Sequence, residues 1–164
     1  MAVTSFAIRT LTKADSGAVL TLARSLEDWF NEEGLKHMEQ DLESHGGFVA
    51  TSGDRVVGFV TFRPIDRVSA DLSWLGVARE YHRMGLGRSL LQRLVDRLRG
   101  DGFNALEVST VADSLDYEPY ARTRAFYRAL GFQDLHIDRG FFFDGNERYD
   151  RLVMKLDLPG EGPA

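Results

Sequence analysis

The sequence predicts one α/β domain, a mixed β-sheet flanked by helices. Along its 164 residues, apolar positions switch several times between helical spacing and strand spacing. A stretch in the middle reads as strand, glycine loop, amphipathic helix and strand, a β-α-β unit whose two strands run parallel. With 43% hydrophobic residues and no internal repeat or low-complexity linker, the chain has enough apolar side chain for one buried core. The domain is expected to span residues 1–158, with 159–164 a flexible tail.

Taken in order, Phe6 to Thr10 reads as a short strand, and Thr12-Lys13-Ala14-Asp15 has the form of a helix-capping signature. Val19, Leu22, Ala23, Leu26 and Phe30 then recur at helical intervals and mark one buried face. Leu35, Met38 and Leu42 suggest a second, shorter helix in the charged stretch from Asn31 to Gly47, a segment placed to wall one side of a cleft. Phe48 to Thr51 and Val56 to Phe62 are rich in β-branched and aromatic residues, and Ser52-Gly53-Asp54 between them makes a hairpin. Pro64 to Arg67 breaks the pattern, and Leu72 to Val77 is a third strand beside the hairpin. Leu86, Leu90, Leu91, Leu94, Val95 and Leu98 form a helical stripe ended by Gly100 and Gly102. Leu106, Val108 and Thr110 alternate with Glu107 and Ser109 as the returning strand. An acidic loop from Ala112 to Pro119 leads to a helix over Thr123 to Leu130, closed by Gly131. Strands at Gln133 to Ile137 and Leu152 to Leu156 complete the order β-α-α-β-β-β-α-β-α-β-β.

Composition excludes several functions. A net charge of −5 argues against general binding to nucleic acid, which needs an excess of Lys and Arg. The absence of cysteine removes disulfides, thiolate metal sites and a cysteine nucleophile. His37, His45, His82 and His136 lack metal-ligand spacing, so no metal is expected. No leader pattern and no apolar run of about 18 residues is present, which predicts a cytoplasmic protein without a membrane partner.

Against that acidic background, His82-Arg83-Met84-Gly85-Leu86-Gly87-Arg88 stands out. Two nearby glycines let backbone N–H groups approach a ligand, and the helix beginning near Gly87 adds unpaired donors and a positive dipole end. Arg79, Arg83 and Arg88 add formal charge. The stretch reads as a phosphate or pyrophosphate site. A dinucleotide fingerprint fits poorly: seven residues separate Val77 from Gly85, and Leu90 stands where a third glycine is required. The Walker motif lacks its Gly-Lys-Ser/Thr.

The stretch from Leu72 to Leu91 resembles the acyl-coenzyme A signature of the GNAT superfamily of N-acetyltransferases, Gln/Arg-x-x-Gly-x-Gly/Ala, here His82-x-x-Gly85-x-Gly87 with His where Gln or Arg is usual. Arg124-Ala125-Phe126-Tyr127-Arg128-Ala129-Leu130-Gly131-Phe132 is similar to the family's helix ending in Tyr-x-x-x-Gly-Phe, with Tyr120 in place of its usual Asn. The element order agrees from Phe6 to Leu158. The resemblance implies a sheet splayed between its fourth and fifth strands, with acetyl-CoA in the opening. It implies that main-chain groups near Val77 bond the pantetheine arm and that the backbone of Arg83, Met84, Gly85, Leu86, Gly87 and Arg88, after His82, holds the pyrophosphate. The acceptor amine then attacks the thioester directly, in a site whose donors stabilise the oxyanion.

An alkyl amine of pKa about 10.4 is almost wholly protonated at pH 7, so a base is needed. Asp71, six residues before Val77, occupies a region where some members of the family carry a catalytic Glu. An ordinary carboxylate near pKa 3.9 needs burial or a relaying water to serve, and the alternative is a strand-edge aspartate in solvent. Glu107 either faces the cleft or points to the polar side of its strand. An imidazole, titrating near 6.5, suits the task best, but His82 lies in the phosphate loop, where a structural or coenzyme-contacting role is the simpler one. Tyr127 matches the family's tyrosine that reaches the coenzyme sulfur as general acid. The bland alternative is a packed core tyrosine. Asp113, Asp116, Glu118 and the segment Asp144 to Asp150 with Glu147 either attract a cationic amine or are solvated surface. Phe141-Phe142-Phe143 line a pocket, meet a second copy or fill the core, and Trp29 and Phe30 carry the same ambiguity. The expected function is acetyl transfer to a primary amine of a small molecule or peptide by a monomer or homodimer; the alternative is a non-catalytic acyl-CoA sensor of the same fold.

Overall fold

The computed structural model describes residues 5–160. The strands are β1 (Ala7–Thr10), β2 (Gly46–Ser52), β3 (Arg55–Pro64), β4 (Ser69–Val77), β5 (Ala105–Val111), β6 (Gln133–Asp144) and β7 (Glu147–Asp157). The helices are α1 (Ser16–Ser25), α2 (Glu32–Asp41), α3 (Leu86–Gly100) and α4 (Glu118–Ala129), with 3-10 turns at Lys13–Asp15 and Arg79–Tyr81. The order is the one the sequence predicts. The strands form a seven-stranded mixed sheet ordered β1-β2-β3-β4-β5-β7-β6.

The differences in extent have local causes. Pro119 lies in the first turn of α4, where its missing N–H costs nothing, so the helix begins well before Thr123. β6 and β7 run on into one hairpin over Gly145, and the three phenylalanines are strand residues in it. Phe141 and Phe143 are about half exposed, which removes the core-filling alternative. Phe30 falls beyond the end of α1 and is only partly buried. Of the tail, 161–164 lie outside the described residues.

Two compact units divide the described chain. The first holds the residues up to Arg63 together with Ser73–Arg97. Its core joins Val19, Leu22, Ala23 and Leu26 from α1 with Val49, Val57, Phe59 and Val60 from β2 and β3, and with Leu86, Leu90 and Leu94 from α3. The second holds Pro64–Leu72 and the chain from Leu98 onward. In it the parallel register of β4 and β5 runs from Ser69 opposite Ala105 to Leu72 opposite Val108, and both strands continue past it. Antiparallel pairing then carries β5 to β7 and β7 to β6.

Within the first unit, β4 departs from strict alternation. The Ser73 hydroxyl meets Thr61, while a Cβ on Gly76 would meet the Phe59 ring at 2.6 Å. Thr61 and Phe59 are two apart on β3 and share one side of it, so Ser73 and Gly76, three apart, face the same way. Among the described residues, no helix is long and apolar enough to cross a membrane.

Candidate active site

β4 ends at Val77, and the 3-10 turn that follows buries Tyr81. The His82 ring then folds back: its Nε2–H donates to the Val77 carbonyl at 2.7 Å, and the ring meets Trp29 edge-on at 5.5 Å. Arg83 (φ 65°) and Gly85 (φ 79°) both have left-handed backbones, and Arg83 is the one non-glycine residue with positive φ among those described. Leu86 drops its side chain fully into the core and so fixes the start of α3. The Ser89 N–H bonds to the Gly85 carbonyl at 3.0 Å, which leaves the N–H groups of Leu86, Gly87 and Arg88 without partners inside the helix.

The charges on this loop are unequal. Arg79 pairs with Asp28 at 3.1 Å and lies over the Trp29 ring at 5.5 Å, so its charge is offset. Arg83 and Arg88 are exposed and have no ion pair among the described residues. Donors at a helix start beside two uncompensated guanidiniums have the chemistry that a polyanion requires.

The second unit brings Asp71 and Tyr127 together. Tyr127 is 5% exposed and packs edge-on against Phe132, with Phe126 beside it. Burial, and after it the nearby Asp71 carboxylate, push the phenol well above its usual pKa. α4 is held by the buried Arg124, whose guanidinium donates to the Val111 carbonyl at 2.7 Å. Its end is closed by the Phe132 N–H on the Tyr127 carbonyl. Asp71 lies opposite Glu107 in the parallel register, and Glu107 lies opposite Lys155. That row is half-buried, whereas the next one, Leu72, Val108 and Met154, is core. Glu107 therefore belongs to the polar side of β5, beside Asp71.

One cluster has no precedent in the sequence reading. The His45 Nδ1 lies 2.9 Å from the Ser73 Oγ, which lies 2.6 Å from the Thr61 Oγ1. The His45 Nε2 stands 3.6 Å from the Asp41 Oδ1, and the Trp74 indole N–H donates to the Asp41 Oδ2 at 2.8 Å. The five polar groups come from α2, the segment after it, β3 and β4, so no motif links them. The only signal available was a pair of hydroxyl residues in otherwise apolar strands.

The acidic candidates divide as well. Glu118 pairs with Arg122 within α4. Asp150 is taken up by Ser114, the Gly140 N–H and Arg139, and brings the loop, β6 and β7 together as structure. Tyr149 donates to Glu147 at 2.9 Å. Trp29 backs the glycine loop, while Phe30 packs between Phe59 and Trp74. Among the described residues, no group of His, Asp and Glu is arranged to hold a metal.

The sequence pattern of the acetyltransferase (GNAT) family matches residues 17–132, most of the chain and all of the loop just described. The chain belongs to that family. This GNAT acetyltransferase is 28% identical over 128 residues to the [ribosomal protein bS18]-alanine N-acetyltransferase of Escherichia coli K12, covering 78% of this chain and 76% of that one. The solved ribosomal-protein-S18-alanine N-acetyltransferase of Escherichia coli superposes with a TM-score of 0.78 at 24% identity, over 98% of this chain and 99% of that one. The protein yncA of Salmonella typhimurium, solved with its cofactor acetyl-CoA, gives a TM-score of 0.71 at 21% identity over 98% of each chain. The GNAT fold and an acyl-CoA-dependent acetyltransferase activity follow from family membership.

Proposed function

We propose that this GNAT acetyltransferase moves the acetyl group of acetyl-CoA directly to a primary amine, and that the amine is the N-terminus of a peptide. The observation that carries the donor is the loop: left-handed Arg83 and Gly85 present the first N–H groups of α3, with Arg83 and Arg88 uncompensated beside them. When bound, acetyl-CoA supplies an activated acyl carbon and a thiolate leaving group. The backbone from Arg83 to Arg88 holds the pyrophosphate, Met84 lies exposed beside it, and main-chain groups near Val77 bond the pantetheine arm. One lone pair of the Val77 carbonyl is already committed to His82. His82 thus braces the loop from behind.

In the net reaction the ammonium nitrogen loses two protons, the sulfur gains one and solvent receives the other. Tyr127 supplies the sulfur side. Its raised pKa keeps the phenol protonated, so it stabilises the departing thiolate by donating a hydrogen bond. Asp71 accepts the proton that the nitrogen sheds as it bonds to carbon, a more acidic proton than that of a free ammonium. The peptide acceptor is supported by the relatives that act on the alanine of a ribosomal protein.

A calorimetric titration with acetyl-CoA, with ATP and NAD as controls, followed by thiol release with an alanine-initiated peptide and with small amines, tests this reading. Saturable binding of acetyl-CoA alone, and turnover of the peptide, are expected. Absence of binding at millimolar acetyl-CoA would overturn the donor assignment. Binding without turnover of any amine would make the protein a sensor.

A further inference from the structure

We propose that His45, acting through the Ser73 hydroxyl and held by Asp41, takes the first proton from the acceptor ammonium, before attack. The assignment rests on the acetyl transfer to an amine proposed above and names a group for its hardest step.

We assign the hydrogen of the His45 ring to Nε2, on the side of Asp41, and the hydrogen-bond capacities then set the direction of the chain. A serine hydroxyl has one hydrogen and two lone pairs. With the imidazole hydrogen on Nε2, facing Asp41 at 3.6 Å, Nδ1 is an acceptor and takes the Ser73 O–H at 2.9 Å. Thr61 then donates to Ser73 at 2.6 Å and fills one lone pair. The remaining lone pair is left to accept an N–H. Ser73 is half-buried on the strand that ends at Val77, whereas Thr61 is wholly buried, so Ser73 is the member a substrate can meet.

The transfer balances. The ammonium N–H bond breaks and its proton goes to the Ser73 Oγ as the Ser73 proton passes to the His45 Nδ1; the electron pair stays on nitrogen. The products are a neutral amine and an imidazolium facing the Asp41 carboxylate. The charged group that faces the ring is Asp41 on α2; β4 presents Ser73 and, behind it, β3 presents Thr61. The His45 side chain is 10% exposed and that of Asp41 34%, so the proton moves toward solvent. Trp74, the neighbour of Ser73, holds Asp41 at the far end. Nearby Val57, Phe59 and Val60 are fully buried, an environment in which a hydroxyl and an imidazole are costly unless paired.

The test uses His45→Asn and Ser73→Ala with an alanine-initiated peptide and acetyl-CoA, comparing kcat/KM at pH 7 and pH 9. A peptide α-amine has a pKa of about 7.7–8.0, so it is mostly protonated at the lower pH and nearly all neutral at the higher, while an ordinary imidazole is mostly neutral at both and can accept. Each variant is expected to lose about a hundredfold at pH 7, the lower range for general acid–base catalysis, and only a few-fold at pH 9, with unchanged acetyl-CoA affinity by calorimetry. Equal losses at both pH values would show a merely structural role and overturn the proposal, as would wild-type rates at pH 7. Should His45→Asn melt far below the wild type, Ser73→Ala decides, since it leaves His45 and Asp41 in place. If the wild-type protein binds acetyl-CoA but turns over no amine, the proposed function itself fails, and the relay with it; that outcome is seen before any variant is made.

Discussion

His82 donates its ring N–H to the carbonyl of Val77 at 2.7 Å, tying the glycine loop to the end of the strand that precedes it. The same ring rests on Trp29, so the loop is clamped on two sides. His82→Ala removes a hydrogen bond worth about 1 kcal/mol, and acetyl-CoA is expected to bind about fivefold to tenfold more weakly by calorimetry. A histidine that instead carried a proton in the reaction would lower kcat with the affinity intact, and that result would refute the brace.

Gly85 and Gly47 separate two uses of glycine. At Gly85 a Cβ would meet nothing within 4 Å, but φ is +79°. Gly85→Ala therefore costs only the left-handed strain of about 1–2 kcal/mol, expressed as a loop that no longer presents its N–H groups. Acetyl-CoA affinity should fall about tenfold with little change in Tm. At Gly47 a Cβ would stand 2.0 Å from the Val60 carbonyl oxygen, which is backbone and cannot move aside. Gly47→Ala should destabilise by more than about 3 kcal/mol, read from a denaturant melt.

The contrast between these two glycines shows what was legible in the sequence. Gly85 belongs to a local motif, and local spacing announces a loop before a helix. Gly47 is constrained by β3, through a strand register that no short window contains. The site divides in the same way. Val77, the loop and Tyr127 could be named as candidates because each lies in a contiguous pattern, whereas His45, Ser73, Thr61 and Asp41 are brought together by packing. Arg79 shows the limit of charge counting: its partner Asp28 lies far away in sequence and offsets a charge the loop seemed to own. The start of α4 was placed late because Pro119 was assigned to the acidic loop, when the first turn of a helix is where proline fits.

Asp15 gives the stability a defined acid limb. Its carboxylate accepts both Arg9 guanidinium nitrogens at 2.8 Å and the Thr12 N–H at 2.8 Å. The hydrogen bonds from Arg9 are the largest cause of a pKa lowered to about 2. An aspartate in the unfolded chain titrates near about 3.9, so this contribution is fully present above that pH and is lost as pH falls from there through about 2. Asp15→Asn should cost about 2 kcal/mol at pH 7. The variant's urea midpoint should change less than the wild type's between pH 4 and pH 2; parallel curves would rule the pair out as the source.

Tyr127→Phe isolates the leaving-group side of the reaction. The ring keeps its place against Phe126 and Phe132, so the fold should tolerate the change, with Tm moving by no more than a few degrees. Acetyl-CoA affinity should hold, because the proposed grip on the polyanion is at the start of α3, away from the phenol. What disappears is one hydrogen bond to a sulfur that acquires charge only as the bond to carbon breaks, which lowers kcat without raising KM. The expected loss is about a hundredfold. If kcat is unchanged in Tyr127→Phe, the phenol is packing alone, and its high pKa reflects burial beside Asp71 and nothing further. If instead kcat falls and Asp71→Asn lowers it as well, the two residues act on the same reacting centre, and the double variant should lose less than the product of the two single losses.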